Sequence, residues 1–271
     1  MSEDMKNFVL AIACLFLPLV SSGAAQAESY ENVIRAELRP GWRLPDGSHM
    51  AALHLELAPG WKTYWRAPGD AGIPPQFRWK GSGGAVQVHW PAPQVFHQSG
   101  MRSVGYSGSV TLPLRVSLRN STKDARLKGV IDIGICKDVC LPHRVRVEAV
   151  LPATKTKPDP SIAAALADEP YSAEDAGVSS VSCRVAPAPN GMMLRAQIDM
   201  PKGTGREHTV IEAANPEIWV GEPRTWWEGG HLMAEAQMAH MAGSAFAVDR
   251  SRLRITVLGG HMPVDIHGCS G

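Results

Sequence analysis

Ala51-Ala-Leu-His-Leu-Glu-Leu57 alternates side-chain character so that Leu53, Leu55 and Leu57 fall on one face of an extended chain. A side-chain period of two is the mark of a half-buried β-strand. The pattern returns in Val110-Thr-Leu-Pro-Leu-Arg-Val-Ser-Leu118 and in Val145-Arg-Val-Glu-Ala-Val-Leu151. Gly and Pro punctuate these runs, as turns in an antiparallel sandwich require. The alternation breaks at Thr154-Lys-Thr-Lys-Pro-Asp-Pro160, and Ser161-Ile-Ala-Ala-Ala-Leu-Ala-Asp168 then reads as a short helix capped by Ser161 and closed by Pro170. From about Val178 the alternation resumes. Asn190-Gly191 predicts a hairpin between Val181–Val185 and Met192–Met200, and Gly229-Gly230 and Gly259-Gly260 mark two more. The reading is all-β, with one sandwich over 28–153, a helical linker over 154–177 and a second sandwich over 178–271. No repeat or low-complexity tract interrupts it.

Residues 1–27 read differently. Lys6 precedes the apolar run Phe8-Val-Leu-Ala-Ile-Ala-Cys-Leu-Phe-Leu-Pro-Leu-Val20, and small residues follow up to Ala25-Gln-Ala27. Charge, apolar core and Ala-x-Ala site in that order predict a cleaved secretory signal. The run is about 13 residues, short of the roughly 20 that a membrane span needs. Ser2-Glu3-Asp4 puts negative charge where a signal wants positive, which fits initiation at Met5. A lipidated cysteine would end the apolar run, and this run continues past Cys14, so an unlipidated soluble periplasmic protein is expected. The formal net charge of +1 offers no footprint for nucleic acid, and no second apolar stretch is long enough to cross a bilayer.

Export matters for the cysteines. Setting Cys14 aside leaves Cys136, Cys140, Cys183 and Cys269, which allow three pairings. Sequence distance favours Cys136–Cys140 and Cys183–Cys269. In Gly134-Ile-Cys-Lys-Asp-Val-Cys-Leu-Pro142, a fully extended chain would hold the two Cα atoms roughly 13 Å apart, while a disulfide tolerates about 7 Å. The chain must turn at Lys137-Asp138, and Pro142 opposes a helix through the second cysteine. A loop of about five residues gives about 2 kcal/mol in the loop-entropy model, against about 4.6 kcal/mol for one of about 87 residues. The short bond therefore contributes little as a staple and suits redox exchange in an oxidising compartment. The long one reads as structural, tying the ends of the second sandwich together. The plainer alternative for Cys136/Cys140 is a hairpin staple.

Five of the eight Trp lie between positions 42 and 90, among Gly and Pro, in a stretch beginning Gly60-Trp-Lys-Thr-Tyr-Trp-Arg-Ala-Pro-Gly-Asp-Ala-Gly-Ile-Pro-Pro75. Two readings stand. The segment is either a stiff aromatic loop over the disulfide or toward a partner, or a satellite core carried on a loop. Tyr64 and Trp65 adjoin the Gly69-Asp70 turn, which places them on a segment expected to reach the surface.

Gly-Trp-Lys-Thr-Tyr-Trp-Arg-x-Pro-Gly-Asp-x-Gly-x-Pro-Pro, followed by Trp90-Pro-x-Pro93, Gly105-Tyr106, Leu112-Pro113 and Cys136-x3-Cys-x-Pro142, resembles the N-terminal periplasmic domain of the thiol:disulfide interchange protein DsbD. The suppressor-of-copper-sensitivity branch, ScsB, is the closer match. The resemblance is dense over 28–152 and weaker over 178–271, where that branch has a second β-domain. It implies immunoglobulin-like sandwiches and a redox pair, Cys136 and Cys140, that passes electrons from a membrane partner to periplasmic thioredoxin-like oxidoreductases, as a component of protein-disulfide reduction. Tyr64, Trp65 and Tyr106 become candidates for shielding the pair or docking a partner. Family members continue into membrane and thioredoxin-like domains, so a separate membrane electron donor is expected here. The resemblance leans toward Cys140 as the sulfur attacked.

Two other classes compete. His231-Leu-Met-Ala-Glu-Ala-Gln-Met-Ala-His-Met241 offers soft Met and His ligands for a copper ion, as do the reduced thiols of Cys136/Cys140. The plain reading of such Met residues is core filling. A non-catalytic adaptor would use the aromatic loop only to dock a redox partner. Thiol–disulfide exchange itself requires no cofactor and no resident metal. His97 and His143 are candidates for tuning the thiols.

Overall fold

Alternating apolar residues become strands wherever one face finds a core. In the first half these are β1 (Ile34–Arg43), β2 (His49–Leu57), β3 (Lys62–Tyr64), β4 (Gln76–Lys80), β5 (Gly83–Val88), β6 (Gln94–Gln98), β7 (Met101–Ser107), β8 (Ser109–Leu118), β9 (Ala125–Cys136) and β10 (Cys140–Leu151). A computed structural model describes residues 32–70, 72–81, 83–98 and 100–271. The signal-peptide reading of 1–27, and Cys14 with it, lies outside the described residues.

One sheet runs β1-β2-β8-β5, and the other runs β10-β9-β3-β7-β6 with β4 beside β9. Their facing sides bury Leu53, Leu55, Leu112, Leu114, Ile131, Ile133 and Ile135, and burying each such side chain contributes about 1.5–3 kcal/mol. This is an antiparallel immunoglobulin-like sandwich. β2 departs from the one-sided pattern expected of it. Its other face carries Met50 and Ala52 into a small second core with Trp42 and Ile162, flanked by Leu44 and Leu166. Ile162 and Leu166 belong to α1 (Pro160–Ala167), which roofs that face.

The helix begins one residue earlier than read, and Asp159 caps it in place of Ser161. The Asp159 carboxylate accepts from the Ser161 and Ile162 backbone N–H groups. Pro160 then occupies the first turn, where its missing N–H costs nothing and its φ is preset.

The second half is β11 (Tyr171–Ser172), β12 (Ser180–Ala188), β13 (Gly191–Asp199), β14 (His208–Glu212), β15 (Ile218–Val220), β16 (Arg224–Glu228), β17 (His231–His240), β18 (Arg254–Leu258) and β19 (Val264–His267). Its sheets run β12-β13-β17-β15, with β16 beside β17, and β11-β19-β18-β14. Leu194, Ile198, Leu232, Met238, Ile255, Val257 and Val264 fill the space between them. Gly229-Gly230 makes its two-residue hairpin as read, both residues at positive φ. At the other hairpin the turn is shifted by one residue. Ala188 pairs Gly191, so Pro189-Asn190 is the central pair, with Asn190 at φ 63°. Gly191 serves a different need, since a Cβ there would lie 2.0 Å from the Met238 carbonyl oxygen. The two sandwiches fall within one compact unit, Asn32–Gly271.

Cys183 on β12 is bonded to Cys269 beyond β19, with Cα atoms 5.7 Å apart and a sequence separation of 86. The bond joins the two sheets of the second sandwich, and backbone hydrogen bonds from Cys183 to Ser270 and from Ser270 to Val181 flank it. Replacing both cysteines with Ser is expected to lower stability by about 4–5 kcal/mol on the loop-entropy estimate, read by denaturant unfolding. Reduction of Cys136–Cys140 should be unchanged. A loss below about 1 kcal/mol would remove the structural role.

Candidate functional site

β9 and β10 form the hairpin that ends at the short disulfide. Cys136 closes β9, Cys140 opens β10, and the two are opposed in register. They are bonded, with Cα atoms 4.1 Å apart. Lys137, Asp138 and Val139 make the turn, all exposed, and Val139 is 54% exposed. On its other edge β9 pairs with β3, which sets Lys62 against Cys136 and Thr63 against Ile135.

The pleat decides what shares a face with the disulfide. Ile131, Ile133 and Ile135 point into the core, so Gly134 and Cys136 point away from it, as do Lys62 and Tyr64 on β3. Tyr64 lies across Gly134 and donates its hydroxyl to Cys140 Sγ at 3.2 Å. Gly134 makes this possible, because a Cβ there would sit 2.7 Å from both Tyr64 Cδ2 and Ile73 Cβ. Burial pushes the Tyr64 phenol above its ordinary pKa, so it holds its proton and remains a donor. The two cysteines differ in exposure. Cys136 is 7% exposed, while Cys140 is open to solvent.

Of the three aromatic candidates, the structure brings only Tyr64 to the disulfide. Trp65 is fully buried. The expectation that Tyr64 and Trp65 reach the surface is therefore corrected, because β3 is an interior strand between β9 and β7 and their neighbours cover it. Tyr106 pairs with Thr63 and shares its core-facing side. There it donates to the Pro91 carbonyl at 2.8 Å, and burial pushes its pKa well up. Trp42 and Trp61 are buried as well, and Phe77 packs on Trp79 and Trp90 at 6.1 and 5.9 Å. The aromatic segment is largely core, not a docking patch.

The histidines also lie elsewhere. His143 shares the face of Val145, opposite that of Cys140. His97 stands at the contact between sandwiches, its ring 5.4 Å from His208. The Met and His residues of β17 do not converge either. Met238 is in the core, His231 hydrogen-bonds Asp199, and His240 faces Glu217 at 3.5 Å. Nine strand steps separate the two histidines by roughly 30 Å. That removes the soft-ligand cluster. Among the described residues no group of three or more His, Cys, Asp or Glu side chains is placed to hold a metal.

Sequence reasoning missed Gly134, Ile73 and Lys62. The first had a signal, a glycine within an otherwise apolar strand, which marks close approach by a neighbour. The other two required knowing which strands flank β9.

Residues 32–152, which hold the first sandwich, match the family model of the N-terminal domain of the thiol:disulfide interchange protein DsbD. The N-terminal periplasmic domain of ScsB from Proteus mirabilis is a solved structure with the same fold. It shares 24% identity at a TM-score of 0.65, over 88% of this chain and 92% of that one. The likeness thus extends past the family match into the second sandwich. No curated protein matches. Among the described residues no helix is long and apolar enough to cross a membrane.

Proposed function

We propose that this is a periplasmic thiol–disulfide exchange protein, with Cys136–Cys140 carrying two electrons between a membrane donor and thioredoxin-like oxidoreductases. The observation that carries the reading is the asymmetry of the pair, an exposed Cys140 bonded to a buried Cys136 at the mouth of a hairpin. A donor thiolate attacks Cys140 Sγ in line with the S–S bond, and Cys136 leaves as a thiolate that takes up a proton. The donor's second thiolate then attacks its own sulfur in the mixed disulfide and releases Cys140. The donor ends as a disulfide and the pair as a dithiol. In the second half, Cys140 attacks the acceptor disulfide and Cys136 resolves the adduct, restoring Cys136–Cys140 and leaving the acceptor reduced. Tyr64 contributes a hydrogen bond to the Cys140 sulfur, which favours the thiolate as attacker and leaving group.

The test is redox titration of the full mature chain in glutathione and dithiothreitol buffers, with each bond followed by alkylation and mass spectrometry. Cys136–Cys140 is expected to titrate well above the roughly −300 mV of structural disulfides, with Cys183–Cys269 still oxidised. A pair that survives millimolar dithiothreitol in the folded protein is a staple, and the proposal fails.

A further inference from the structure

Tyr64 is two residues from Arg66, and Arg66 belongs energetically to the other sandwich. Its Nε lies 3.2 and 3.1 Å from the two Glu212 carboxylate oxygens on β14. Its Nη2 donates to Thr256 Oγ1 at 3.2 Å and stands 3.8 Å from Asp265 Oδ1. Only 11% of the Arg66 side chain is exposed, and its guanidinium lies 3.7 Å from the centroid of the fully buried Trp65 ring. A bidentate Arg–carboxylate pair has little orientational freedom, unlike a surface ion pair.

Arg66 is not the sole tie. Burial pushes Asp265 upward, but hydrogen bonds from Arg254 and the charges of Arg254 and Arg66 outweigh it and hold the carboxyl below its ordinary pKa. Further along the same connection, Asp70 accepts from the Glu222 backbone N–H at 3.3 Å. Glu222 also lies 3.3 Å from Arg102 of β7. That connection then supplies Ile73, which meets Tyr64 over Gly134. Two anchors to the second sandwich, at Arg66 and Asp70, thus lie between Tyr64 and Ile73, the two residues that meet over Gly134.

We infer that the second sandwich acts on the cysteine pair through Arg66, a positioning residue that keeps the Tyr64 hydroxyl on Cys140 Sγ. This deepens the exchange function proposed above and rests on it. In the reduced protein the hydroxyl donates to the Cys140 thiolate, and a donor to the charged form favours that form. Arg66 touches neither cysteine. It restrains the strand end from which the hydroxyl reaches the sulfur. The other charged groups nearest Cys140 along the chain and sheet are Lys137 and Asp138 in the turn, Lys62 opposite Cys136, and Arg144 on the same face of β10. The variants below keep all four.

The experiment uses the full mature chain, reduced with excess phosphine so that it does not depend on exchange competence. The Cys140 alkylation rate by iodoacetamide is followed against pH by peptide mass spectrometry. Tyr64→Phe should move the midpoint of the profile upward by roughly half a pH unit or more, about a threefold loss of thiolate below both midpoints. Arg66→Gln and Glu212→Gln should move it the same way, and Arg66→Lys should recover part of the shift. Glu212→Gln keeps the proposal open to refutation should Arg66→Gln fold poorly, because its site is on the second sandwich. Parent-like midpoints in Glu212→Gln and in folded Arg66→Gln, with Tyr64→Phe shifted, overturn the inference. So does an unshifted Tyr64→Phe. Neither result touches the exchange function, which fails if the parent pair resists the redox buffers.

Discussion

Cys136→Ser, expressed in the source cell, is expected to accumulate mixed disulfides through Cys140, while Cys140→Ser accumulates few. The asymmetry follows from exposure. Cys140 is open to a partner's sulfur, and Cys136 is buried in the sheet at 7% exposure. With the resolving thiol gone, the adduct formed by attack of Cys140 on an acceptor disulfide has no intramolecular way to collapse. Turnover in either variant should fall to the uncatalysed background, since each half-reaction needs both sulfurs. Non-reducing electrophoresis of alkylated extracts, followed by identification of the captured chains, reads the result. Equal capture by both variants would show that burial of Cys136 does not order the chemistry. Capture by neither would leave the pair without an exchange role.

Trp65→Ala is expected to cost about 3–5 kcal/mol, the range for truncating a buried aromatic. For a chain of this size that is a drop of roughly 6–20 °C in melting temperature. Trp65 is fully enclosed, and it carries Arg66 on its face. Among the described residues its Nε1 finds no hydrogen-bond partner, so Trp65→Phe forfeits volume but no hydrogen bond and should cost much less. Thermal unfolding of both variants decides the matter. A loss under about 1–2 kcal/mol for Trp65→Ala would return Trp65 to the surface role that its neighbourhood in sequence first indicated.

That reversal shows where sequence reading stops. A run such as Gly60-Trp-Lys-Thr-Tyr-Trp carries too many Gly and Pro neighbours to display a clean period, and aromatics serve equally as core or as docking surface. Which role each takes depends on the flanking strands. β3 is only three residues long, yet it lies between β9 and β7, and that position turns Tyr64 toward the sulfur and leads the chain into the buried Trp65. Tyr106 shows the same limit. One step of the pleat places it on the core side, where its hydroxyl serves Pro91. The Met and His residues of β17 looked like a ligand set because they are close in sequence, but an extended strand spreads them along its length.

Local chemistry was legible from the start. Alternation set the strands because a period of two has one structural meaning when one face is buried. The Cys-x3-Cys spacing demanded a turn because a disulfide cannot span an extended chain. Pairing Cys183 with Cys269 followed from distance along the chain, and the structure bears that bond. Tertiary structure alone decided the rest. It put α1 over β2, chose Asp159 as the cap, left one sulfur open and the other covered, and bound Arg66 to a second sandwich more than a hundred residues away. These depend on which surfaces meet, and such contacts are set by the packing of whole sheets, for which no short stretch of sequence carries a signal.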